Sequence, residues 1–137
     1  MSIDYSGFKA RGGKLIMYTG LADPVVSPFD TIAYYESVAR ANGGLDETRS
    51  FFRFFVAPGM AHCGGAGPNT FDALAALEAW VEKGTVPESI PASHATAGTV
   101  DRTRPLCAWP AVARYTGFGS IDDAANFACT RGGLEER

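Results

Sequence analysis

The sequence predicts an α/β fold: part of a parallel sheet with flanking helices, followed by an irregular, proline-rich tail. Three observations predict it. Two short, continuous apolar runs, Leu15 to Tyr18 and Phe51 to Val56, have the length of strands buried on both faces. The connection between them is long enough for a helix, as a parallel crossover requires. A second helical pattern follows the second run, so the order up to residue 84 is strand, loop, helix, strand, loop, helix.

Each element has its own signals. Gly12-Gly13 leads into the first run, read as a strand over residues 12–19, and GLADPVVSPFD is loop by composition. Ser27 is placed to cap a helix, with Pro28 at its first position and Asp30 in its first turn. Phe29, Ile32, Tyr35 or Glu36, and Ala39 keep helical spacing, with an impure apolar face, until Asn42-Gly43-Gly44 stops it. The second strand, residues 51–57, ends at Pro58-Gly59 and opens into MAHCGGAG. Asn69 or Thr70 then caps a helix with Asp72 in its first turn; Phe71, Leu74, Leu77 or Glu78, and Val81 keep helical spacing and Gly84 ends it. From Thr85 onward the periodicity dissolves among Pro87, Pro91, Pro105 and Pro110. The chain reads as a single domain over 1–137, with a core at 8–84 and a tail at 85–137.

Bulk properties exclude several classes. The 137 residues suit one domain, and a net charge of −3 with no Lys/Arg run gives no case for nucleic acid or for an anionic membrane. No apolar stretch approaches the roughly 20 residues of a membrane span, and the polar MSIDYSGFKARGGK is not a signal peptide. Without a CxxC or a His-x₃₋₅-His, no metal site is expected, and no cofactor motif is present. Cys63, Cys107 and Cys129 make an odd count: one pair and one left over, if the surroundings oxidise.

Loops at the carboxyl ends of parallel strands carry function in such folds. One carries Asp23, four residues beyond the first strand; the other carries His62. If the strands are neighbours, the carboxylate holds one imidazole nitrogen and leaves the other free as a base. Asp followed by His is also the order of those two residues in the Ser, Asp, His triad of α/β-hydrolases. The bland alternatives are an Asp-Pro turn and a histidine that satisfies a loop carbonyl.

The stretches GGKLIMYTGLADPVVSP, FFRFFVAPGMAHCGGAGP, ALAALEAWVEKGTVPESIPA and RTRPLCAWPAVARYTGFGSIDDAANFAC, in that order, make the chain resemble the C-terminal part of the tannase and feruloyl esterase family from about Phe8 to Cys129. The resemblance implies a partial α/β-hydrolase fold and hydrolysis of phenolic-acid esters, with a secreted or periplasmic parent protein. It implies that Asp23 is the triad acid and His62 the base. It implies that Cys63 bonds a cysteine beside the nucleophilic serine, outside this chain, and that Cys107 and Cys129 form a second disulfide tying down the tail.

The nucleophile is expected to be absent. Ser2, Ser6, Ser27, Ser37, Ser50, Ser89, Ser93 and Ser120 neither follow a cysteine nor sit in a G-x-S-x-G elbow, so the chain alone is expected to be inactive. Cys63 is a poor substitute, because side chains adjacent on an extended segment point to opposite sides. Half a sheet also exposes an edge, so a homo-oligomer pairing through residues 15–19 or 51–56 is expected. The alternative function is therefore a non-catalytic, self-associating α/β module or a truncated remnant. Asp30, Asp72 and Glu82 read as helix-end and surface charges, and His94 as a surface residue. Arg102 and Arg104 read as partners of Asp122 or Asp123, and Trp80, Trp109, Tyr34 and Tyr35 as packing residues.

Overall fold

The structure, a computed structural model, describes residues 2–62 and 64–132. A short helix α1 (Ser6–Ala10) precedes strand β1 (Leu15–Gly20). Helix α2 (Pro28–Ala41) and the short α3 (Leu45–Arg49) form the crossover to β2 (Phe52–Ala57). β1 and β2 pair in parallel, with Leu15 opposite Phe52 and Gly20 opposite Ala57. The Ser27 side chain accepts from the Asp30 N–H, with Pro28 in the first turn, so α2 starts where the sequence predicts.

The two strands are apolar throughout because both faces are covered. Leu15, Met17, Phe52, Phe54 and Val56 face α2 and α1, where Tyr35, Val38, Tyr5 and Phe8 meet them. Ile16, Phe55 and Ala57 face the other way, toward Ala73 and Ala76 of α4 (Ala73–Lys83). α4 is capped by Asp72, whose carboxylate accepts from the Ala75 N–H, rather than by Asn69 or Thr70. Thr70 and Phe71 instead form a two-residue strand, β3 (Thr70–Phe71). Gly84, at a φ of 69°, closes the helix in the left-handed conformation.

The tail corrects the expectation of irregular structure. β4 (Ser89–Thr96) and β5 (Thr99–Cys107) form a long antiparallel hairpin, to which β3 adds at one edge. β6 (Ala111–Tyr115) and β7 (Phe127–Arg131) form a second hairpin. Pro91 and Pro105 mark no breaks; they lie opposite each other in the β4–β5 register. Antiparallel pairs alternate between exchanging hydrogen bonds and exchanging none, so two prolines facing each other occupy a pair that needs no N–H. Ile90, Ala92, Leu106 and Ala108 then bury against Phe55 and Ala57, so the core extends well past residue 84.

Side chains fasten this β-layer to the parallel pair. Arg53 in β2 is buried and holds Glu88 with both terminal nitrogens at 3.0 Å, and Arg49 adds a third bond at 2.9 Å. A disulfide joins Cys107 to Cys129, tying β5 to β7. Trp80 and Trp109 are buried packing residues, and Arg102 pairs with Asp122. His94 is less exposed than expected of a surface residue: it lies on β4 and bonds Asp101 at 2.6 Å. No helix among the described residues is long and apolar enough to cross a membrane.

Candidate active site

Parallel pairing puts the carboxyl ends of β1 and β2 side by side, so the loops leaving them start next to each other. Backbone bonds then lace the loops together. Leu21 N–H donates to the Ala57 carbonyl at 2.9 Å, and Ala22 N–H donates to the Met60 carbonyl at 3.0 Å. The approach is close enough that a Cβ at Gly20 would overlap the Met60 carbonyl oxygen, which requires glycine there.

The first loop turns at Asp23-Pro24. Asp23 Oδ1 accepts from the N–H groups of Val25 at 2.8 Å and Val26 at 3.0 Å, an Asx turn that locks the carboxylate in place. Its other oxygen, Oδ2, lies 3.0 Å from His62 Nδ1. The Asp23 side chain is 8% exposed while the His62 ring is 52% exposed. The bond from the Val26 N–H is the largest influence on the Asp23 carboxyl and holds it below its ordinary value; burial opposes this, and the Val25 and His62 bonds add to it. An ionised carboxylate only accepts, so Nδ1 carries a proton, and in the neutral ring the lone pair is on Nε2. No protein group bonds Nε2 among the described residues.

The two residues predicted from loop position are thus brought together, 39 positions apart in sequence. The expected role of Cys63 lies outside the described residues. Sequence reasoning missed the N–H groups of Val25 and Val26; the Asp-Pro dipeptide was the available signal, since aspartate at a turn bonds backbone two residues on. Leu21, Val25, Val26 and Phe29 leave large apolar surface exposed around the same loop. A cleft of about 490 Å³, walled by Leu21, Phe29, Val56, Pro58, Trp109 and Val112, opens beside the loops, and neither Asp23 nor His62 lines it.

A protein-family profile described as "Tannase and feruloyl esterase" matches residues 1–130. Mono(2-hydroxyethyl) terephthalate hydrolase of Piscinibacter sakaiensis is 47% identical over 132 residues, covering 93% of this chain and 21% of that protein. Among solved structures, an esterase from Aspergillus oryzae superposes with a TM-score of 0.87 at 36% identity, covering 94% of this chain and 29% of the other. Feruloyl esterase B from Aspergillus oryzae superposes with a TM-score of 0.83 at 33% identity, with the same coverage of both. The chain therefore spans between a fifth and a third of the length of these relatives.

Proposed function

The chain belongs to the tannase and feruloyl esterase family, and from that premise we propose that it supplies the acid and base of a Ser-His-Asp triad that hydrolyses phenolic-acid esters. The observation that carries the reading is the His62–Asp23 bond of 3.0 Å with the second carboxylate oxygen fixed by two backbone N–H groups. A carboxylate held at both oxygens cannot swing away from the ring, so it selects one tautomer and one ring orientation.

The proposed chemistry uses that orientation. His62 Nε2 takes the proton of a serine hydroxyl as its oxygen attacks the ester carbonyl. The resulting imidazolium, steadied by the Asp23 charge, returns the proton to the departing alcohol, leaving an acyl-enzyme. Water then attacks with His62 again as base, releasing the phenolic acid and regenerating the serine. The serine comes from residues beyond these 137, because none of the serines present has the elbow or the neighbouring cysteine. The Cys107–Cys129 disulfide suits an oxidising compartment, which favours action outside the cytoplasm.

The test uses the protein encoded by the whole reading frame that contains these residues, assayed on methyl ferulate and on a gallate ester. His62→Ala and Asp23→Ala are expected to lower kcat by about 10³-fold or more, with far smaller effects on KM. Unchanged turnover in His62→Ala refutes the reading. The 137 residues expressed alone are expected to show no hydrolysis above the buffer rate. Turnover there that depends on His62 shows that the nucleophile is inside the chain. The non-catalytic alternative is favoured by one feature, the outer edge of β1, which no strand pairs among the described residues, and it is the reading that survives if His62 proves dispensable.

A further inference from the structure

The loop bearing His62 has a tip and a neck. At the neck its two limbs touch backbone to backbone: the Gly67 N–H donates to the Gly59 carbonyl at 3.0 Å, and a Cβ on Gly67 would overlap the Pro58 carbonyl oxygen. One step further out Met60 bridges Gly65, and the Ala61 N–H donates to the Gly64 carbonyl at 2.6 Å. Asp23 grips the tip through the imidazole. The neck is gripped from the β4–β5 hairpin.

That grip is Arg102, on β5. Its Nη1 donates to the Ala66 carbonyl at 3.0 Å, 36 residues away in sequence, and its Nε donates to Asp122 Oδ1 at 2.8 Å. Asp122 is itself fastened. Its carbonyl accepts from the Thr103 N–H at 2.8 Å, and its own N–H donates to Ser120 Oγ at 3.1 Å. One edge of a rigid guanidinium is thus fixed by an anchored carboxylate, and another donor is aimed at the residue beside Gly67. A lysine cannot reproduce this, because its three donors radiate from one point and hold no fixed angle between two acceptors.

We propose that Arg102 is a positioning residue for His62. By holding the Ala66 carbonyl it closes the neck of the loop, and the closed neck sets where the tip presents the imidazole to Asp23. Without it only the loop's own backbone bonds hold the neck, which opens more often, and the His62–Asp23 bond becomes intermittent. The catalytic meaning of this rests on the reading of His62 as the general base. The mechanical claim, from Arg102 to loop to ring, does not.

The test is made on the 137-residue chain by nuclear magnetic resonance, where only two histidines, His62 and His94, need be assigned. Arg102→Met, Arg102→Lys and Asp122→Asn are compared with the parent. Arg102→Met is expected to speed amide exchange at Gly67 and Ala61 by about tenfold or more while the amides of β1 and β2 keep their protection. It is also expected to broaden or abolish the His62 Nδ1–H resonance. Arg102→Lys should behave like Arg102→Met despite its charge, and Asp122→Asn should fall between them and the parent. Exchange at Gly67 and Ala61 within about twofold of the parent, with an unmoved His62 Nδ1–H resonance, overturns the proposal. If Arg102→Met fails to fold, Asp122→Asn decides by the same two readouts. Ester hydrolysis is not measured, so an inactive chain leaves the test intact. A native loop in the Arg102 variants sinks this proposal while leaving the Asp23–His62 reading standing.

Discussion

At the scale of single residues, the arrangement turns on how firmly one carboxylate is held. The Asp23 carboxyl is held below the ordinary aspartate value of 3.8, first by the Val26 N–H and then, against the opposing effect of burial, by the Val25 N–H and His62. A carboxyl lowered by folding contributes stability above its unfolded pKa and loses it as the pH falls through the folded value. The local order around Asp23 should therefore be complete above about pH 3.8 and decay only below it. Following the Val25 and Val26 amide shifts against pH checks this: a transition well above pH 4 contradicts it. Asp23→Asn should remove the acid transition and weaken the His62 Nδ1–H resonance, because the amide lacks the charge. Asp23 and His62 were legible in the sequence because each follows closely on an apolar run, and a short step from a strand end leaves few places to go. Arg102 was not legible as a partner of Ala66, since only the folded hairpin brings β5 beside that loop.

At the scale of elements, the parallel pair and α2 were readable because their signals are local: continuous apolar runs, a Ser-Pro cap and a Gly-Gly stop. The hairpins beyond residue 85 were not, because their prolines read as breaks and only cross-strand register reveals Pro91 opposite Pro105. The same non-local logic governs the far edge of β2. There the Phe54 carbonyl accepts from the Trp109 N–H at 2.7 Å, and the Phe52 carbonyl accepts from the Tyr35 hydroxyl at 2.9 Å. A side chain from α2 thus fills a ladder position that no strand among the described residues reaches. Tyr35→Phe leaves that buried carbonyl unpaired and should cost about 1–3 kcal/mol in urea unfolding. Burial also pushes the Tyr35 hydroxyl up from 10.0 to about 12. Its folded value exceeds its unfolded one, so its contribution is full below pH 10 and fades as the pH rises toward 12. Tyr35→Phe should flatten that part of the alkaline stability profile, and an identical slope in both proteins refutes the assignment.

At the scale of the whole molecule, the two edges of the parallel pair differ. β2 is closed off by Tyr35 and by the Phe55–Ala108 bridge. Among the described residues, β1 has a strand on one side only. The N–H groups of Leu15 and Leu21 turn inward to Phe51 and Ala57, so by the two-residue period those of Ile16 and Tyr18 point to the open side. Tyr18, on that strand, is 48% exposed. An unpaired edge that carries an exposed aromatic side chain is a template for another strand. Expressed by themselves, the 137 residues should therefore self-associate as concentration rises, most simply by pairing two β1 strands across a two-fold axis. Sedimentation velocity over a concentration series reads this directly. Tyr18→Lys sets a charge on the edge at a half-exposed position and should restore the monomer. Sedimentation as a monomer at every concentration, with β1 amides on the open side protected from exchange, would mean that something other than a second copy already satisfies that edge.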